Sequence, residues 1–247
     1  MARPRVFLMP TICEVEWKIR PLLEEWADVA GFDAPGVGRN AHEQADFSAD
    51  AVVERGISEL DRLDWDEYVL VGDEFGAAQA VRLAGRRPKG IRGLALGHAS
   101  LSLSSSGPKA PMNADVTEAV IRIARTDYRS FVRALSQVTQ NAYDDELAER
   151  YMQQVPPEAV ASFMPEVLGA VALEDLEPTL HALRVPLLLV EHKGCLMWTR
   201  AGYEAAVAAF PHARTASLDV KPSASPEFAE VLRDFCSALE PASAPAE

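Results

Sequence analysis

Between Tyr68 and Ala77 the chain reads Tyr-Val-Leu-Val-Gly-Asp-Glu-Phe-Gly-Ala. Two glycines, Gly72 and Gly76, enclose a pair of carboxylates, Asp73 and Glu74, and one ring, Phe75. Small residues at the flanks let a backbone fold sharply, and a tight turn between a strand and a helix projects its middle side chain above the sheet. That side chain is Glu74. A carboxylate facing an apolar pocket has its charged form disfavoured, so its pKa moves up. A glutamate near neutrality can give or take a proton. The N-terminus of the following helix works the other way, because it favours an anion. His98 and His192 each follow an apolar run, ending at Gly97 and Val190, and offer further proton-transfer groups. Glu74, His98 and His192 are acceptable metal ligands by type. No spacing in the sequence supports such a site, so neither a metal nor a cofactor is expected. Cys13, Cys195 and Cys236 form no Cys-x-x-Cys pair, which argues against a disulfide framework and a zinc-finger-like site.

These residues need elements to hold them. Arg5–Met9 is a buried strand bounded by prolines, and Val15–Ala27 has helical spacing of Trp17, Leu22, Leu23 and Trp26. Asp28–Phe32 is a short strand leading into the turn Asp33-Ala34-Pro35-Gly36-Val37-Gly38-Arg39. A helix capped by Ser48 or Asp50 runs to about Leu63. Strand Tyr68–Val71, helix Phe75–Gly85 and strand Ile91–Leu96 follow. The chain then reads as helical from about 113 to 183. Strand Val185–Val190, helix Tyr203–Phe210, strand Ala213–Leu218 and helix Pro226–Leu239 complete it. Alternating strands and helices predict an α/β fold, a mostly parallel sheet sandwiched by helices. The helical block interrupts the alternation as an inserted cap. The expected division is a core of 1–110 and 184–239, a helical cap of 111–183 and a disordered tail of 240–247.

The 247 residues carry a net charge of −13, which repels nucleic acid and anionic lipid. No apolar run is long enough to span a bilayer, and the N-terminal run lacks the features of a signal peptide. A cytoplasmic protein acting on a small molecule, with no nucleic-acid or membrane partner, is the expectation. Composition points to a bacterial source; oligomeric state is not legible.

The order of elements resembles the α/β-hydrolase family over nearly the whole chain. Val6–Trp17 resembles its first buried strand and oxyanion loop, Asp33–Arg39 its Asp-x-x-Gly-x-Gly turn, and Val185–Val190 the strand returning from the cap. Val69–Ala77 resembles the nucleophile elbow, with Gly-x-Ser-x-Gly replaced by Gly72-Asp73-Glu74-Phe75-Gly76. An acidic apex followed by an aromatic is similar to the epoxide hydrolase and haloalkane dehalogenase branch. The resemblance puts strand ends on one rim, where Glu74, His98 and His192 are the candidate catalytic residues. Thr11, Ile12, Asp73, Phe75 and Cys195 are the candidate substrate-binding residues.

The departures bear on function. The family's general base is a histidine after the last strand, but that stretch reads Asp219-Val220-Lys221-Pro222-Ser223-Ala224. The acid position reads Glu191-His192-Lys193-Gly194-Cys195, and the His-Gly of the oxyanion loop is Met9-Pro10. Serine-type acyl transfer needs a hydroxyl and an adjacent base, and neither stands at the expected place. The degenerate triad points to non-hydrolytic acid–base chemistry: a lyase, isomerase or cyclase acting on a small, mainly apolar molecule through Glu74, in biosynthesis. The alternatives are an epoxide-hydrolase-type enzyme with Glu74 as nucleophile, and an inactive ligand- or protein-binding domain.

Overall fold

The computed structural model describes residues 3–11, 17–44, 46, 48–98, 114–140, 145–155, 157, 176–196 and 198–239. Six strands form one sheet: β1 (Arg5–Leu8), β2 (Asp28–Gly31), β3 (Tyr68–Asp73), β4 (Ile91–Gly97), β5 (Leu187–His192) and β6 (Arg214–Leu218). Their order is β2-β1-β3-β4-β5-β6 and every neighbouring pair is parallel. The described helices are α1 (Arg20–Glu24), α2 (Ala49–Leu63), α3 (Phe75–Arg86), α4 (Ala114–Thr126), α5 (Tyr128–Gln140), α6 (Asp145–Gln154), α7 (Glu177–Leu183), α8 (Arg200–Ala209) and α9 (Pro226–Ser237). None is long and apolar enough to cross a membrane.

Strand periodicity builds two core layers. Phe7, Met9, Tyr68, Leu70, Leu94, Leu96, Leu187 and Leu189 point to one face, with α2, α3, α7 and residues of α4–α6. Val6, Leu8, Val69, Val71, Ala95, Leu188 and Val190 point to the other, against residues of α1 and α9. Alternation by two thus buries both faces. The α3 helix sits close because Ala77, Ala78, Ala80 and Ala84 line it. Gly93 makes room on the other face, where an added Cβ would meet the Phe235 ring at 2.9 Å.

Several sequence boundaries move. The first helix is only Arg20–Glu24, with its expected start at 15–16 outside the described residues. The returning strand begins after Pro186 and runs through His192, not ending at Val190. Glu191 and His192 look like loop residues because they are polar, yet both are buried and pair with Ser217 and Leu218 of β6. Within the expected helical block, the described residues form helices at Ala114–Thr126, Tyr128–Gln140 and Asp145–Gln154. The α7 helix packs against α3, and an added Cβ on Gly85 would lie 2.9 Å from Thr179. The tail of 240–247 lies outside the described residues.

Candidate active site

All strands run the same way, so their C-terminal ends share one rim. The order reverses direction between β1 and β3, the kind of crevice where open α/β sheets bind ligands. Glu74 stands there at the apex between β3 and α3, with φ 51° and ψ −118°. Its amide donates to the Gly97 carbonyl at 3.0 Å, and its carbonyl accepts from Ala77 at 3.1 Å. The turn closes only because its flanks are glycines. A Cβ on Gly72 would stand 2.3 Å from the Gly76 carbonyl oxygen, and one on Gly76 would stand 2.9 Å from the Pro10 oxygen. A non-glycine residue at positive φ is strained, and such strain concentrates at functional sites. Glu74 does not fold its side chain back to cap α3.

The side chain meets a cation instead. Lys221 Nζ donates to Glu74 Oε2 at 3.2 Å, with both residues buried. Lys221 follows β6, the position at which the resemblance puts a histidine base. In the sequence, only the residue type of Lys221, a cation in the stretch that lacks the histidine base, marks it. Burial raises the Glu74 carboxyl to about 7, against the pull of the Lys221 ammonium and with the push of Asp73. Glu74 Oε1 has no hydrogen-bond partner among the described residues.

A second cluster adjoins the first. Asp73, fully buried, faces His98 Nδ1 at 3.2 Å. The arrangement needs Gly97, because a Cβ there would lie 2.4 Å from Asp73 Oδ1. Burial opposes ionisation of Asp73, yet His98 holds its carboxyl below the ordinary value. Burial also opposes a charge on His98, but Asp73 and Cys195 raise its pKa to about 10. His192 moves down, through burial and the charge of His98. The two imidazoles lie edge to face at 5.5 Å, and Trp198 stacks on His98 at 6.0 Å and meets Phe75 edge-on at 5.8 Å.

A cavity of about 290 Å³ opens on the β5 side, walled by His98, His192, Cys195, Trp198, Arg200 and Tyr203. Glu74 is not part of its wall. A larger groove, about 720 Å³, runs between α2, α3 and α7 and includes none of these groups. The nearby carboxylate Glu191 accepts from Arg200 at 3.0 Å and from Ser217. The structure gathers Glu74, Asp73, His98, His192, Phe75 and Cys195 at one rim. Thr11 is buried at the end of the β1 segment, while Ile12 and Cys13 fall outside the described residues. The Asp33 turn serves the scaffold: its carboxylate accepts from the Arg39 amide and guanidinium, both at 2.9 Å.

The sequence matches no family model and no curated protein. Solved structures do match. A hydrolase from Oleispira antarctica superposes with a TM-score of 0.79 at 14% identity, covering 96% of this chain and 92% of that one. The enol-lactonase from Burkholderia xenovorans gives 0.73 at 20% identity, and a bromoperoxidase from Bacillus anthracis 0.78 at 15%, each with the same coverages. The chain has the α/β-hydrolase fold. Within that fold, Glu74 occupies the elbow apex and Lys221 the turn after the last strand.

Proposed function

We propose that this α/β-hydrolase-fold chain is an enzyme that moves a proton with Glu74, in a lyase, isomerase or cyclase type of reaction on a small, mainly apolar molecule. The observation that carries the reading is the buried Glu74–Lys221 pair at the elbow. Taking two charges out of water is unfavourable by several kcal/mol per ion, and apolar side chains could fill the same space. A general acid–base works best when its pKa lies near the working pH, and Glu74 sits at about 7. The ammonium tunes this balance: it offsets part of the burial, so the carboxyl can reach either protonation state. The same ammonium draws electron density from Oε2, which disfavours attack by Glu74 as a nucleophile. The α3 N-terminus behind the apex would favour negative charge building on a substrate oxygen. We further propose α4–α6 as the cap that shapes the pocket.

The test is proton exchange at carbon. Small ketones and lactones are incubated with the protein in D₂O, and deuterium entry beside the carbonyl is followed by NMR. The wild type should catalyse exchange for a member of this class. Glu74→Gln should slow it by about 10²–10⁴-fold, the usual size of a general acid–base contribution. Glu74→Asp should keep part of the rate through an intervening water. Equal rates in wild type and Glu74→Gln would refute the assignment.

A further inference from the structure

Beside the Glu74–Lys221 pair lies a set of groups that the proton-transfer reading does not use. One ring nitrogen of His98, one of His192 and the Cys195 sulfur all lie within 4.8 Å of one another. The backbone builds this convergence. His98 follows β4 at φ 47°, its amide tied to the Val190 carbonyl of β5 at 3.0 Å. His192 ends β5, and the turn His192-Lys193-Gly194-Cys195, with Gly194 at φ 79°, brings Cys195 back toward it. His192 is 3% exposed and neither of its ring nitrogens has a hydrogen-bond partner among the described residues, while His98 interacts with both Asp73 and Cys195. Buried imidazole nitrogens ordinarily find a partner.

We propose that His98, His192 and Cys195 form a zinc site, with Asp73 as the carboxylate that orients His98. Two imidazoles and a thiolate suit Zn²⁺, which takes such sets tetrahedrally. Asp73 on Nδ1 leaves Nε2 of His98 for the metal, the carboxylate–histidine–metal arrangement that fixes ring orientation and raises ligand basicity. Zinc bonds of about 2.0–2.3 Å place ligand atoms roughly 3.3–3.6 Å apart, so the cluster must contract by about 1 Å. Rotation of the half-buried Cys195 side chain can bring the sulfur nearer the imidazoles, and rotation of the His192 ring must close the nitrogen–nitrogen gap. Binding displaces the proton on His98 Nε2 and that on the thiol. Three protein ligands leave a fourth position, and all three line the 290 Å³ cavity. The site has an open face suited to water or a ligand oxygen.

The probe is zinc itself, measured by competition with a chromophoric chelator on the full chain. Wild type should bind one equivalent. Cys195→Ser and His192→Ala should each weaken binding by about 100-fold or more, and Asp73→Asn by about 10–100-fold, the usual loss for an orienting partner. Circular dichroism checks that the variants fold. Cobalt(II) in the wild type gives a readout independent of any variant: a thiolate-to-cobalt charge-transfer band should appear with tetrahedral ligand-field bands. Zinc uptake equal to that of a folded His98→Ala/His192→Ala/Cys195→Ser variant would overturn the proposal. So would a cobalt spectrum with no thiolate band, or binding of copper with zinc excluded. These readouts do not involve turnover, so they stand or fall apart from the role of Glu74.

Discussion

At the scale of the residue, the molecule turns on one carboxyl group and its protonation. Glu74 is raised from 4.5 to about 7 in the folded chain. Its surroundings are Lys221, Asp73, Cys195 and His98, with burial the largest influence. A raised folded pKa means the native state holds this proton more tightly than the unfolded chain. The resulting stabilisation is fully present below about pH 4.5 and is lost as pH rises through about 7. In Glu74→Gln that term is gone. The stability of Glu74→Gln relative to wild type should therefore improve between about pH 5 and about pH 8, by on the order of 3 kcal/mol at most. Denaturant unfolding of both proteins across that range reads the difference directly. A difference that stays flat with pH would mean that Glu74 titrates at its ordinary value.

At the scale of the element, the turn between β3 and α3 positions the chemistry. Gly72 is the residue on which it closes, because its Cβ would meet backbone atoms of Gly76 and Ala77 at 2.3–2.8 Å. Backbone cannot rotate aside as a side chain can. Gly72→Ala should destabilise the fold by about 3 kcal/mol or more, at the upper end of overpacking effects, as measured by urea unfolding. A loss under about 0.5 kcal/mol would show that the elbow is looser than this geometry. Much of this element was legible in the sequence through its resemblance to the nucleophile elbow, in which small flanking residues close a strand–turn–helix. The period-two strands and the small-residue face of α3 were legible because burial imposes a pattern on the residues themselves. The extent of β5 was not. Its last two residues, Glu191 and His192, are polar because they face the rim, and polarity in sequence reads as the end of a strand.

At the scale of the whole molecule, the pairings that matter most join residues far apart in sequence. Glu74 meets Lys221 across 147 positions, and Asp73 meets His98 across 25. Sequence placed Glu74, His98, His192 and Cys195 on one rim through the resemblance of the fold, but local pattern carries no signal for which side chain faces which. Lys221 became visible only when β6 set the loop after it beside the elbow. The same long-range packing sets two chemistries side by side: a glutamate paired with a lysine, and two histidines gathered with a cysteine and an aspartate. The central claim concerns the first, that Glu74 carries a proton and forms no covalent ester. The most direct measurement is isotopic. The protein is incubated in H₂¹⁸O with epoxides, haloalkanes, activated esters and whichever carbonyl compound exchanges deuterium, and the peptide containing Glu74 is weighed by mass spectrometry. An ester on a carboxylate that is cleaved by water leaves heavy oxygen in that carboxylate. The account predicts no heavy oxygen in Glu74 while deuterium exchange proceeds. Heavy oxygen accumulating in Glu74, or an adduct trapped on it, would contradict the account and make Glu74 a nucleophile.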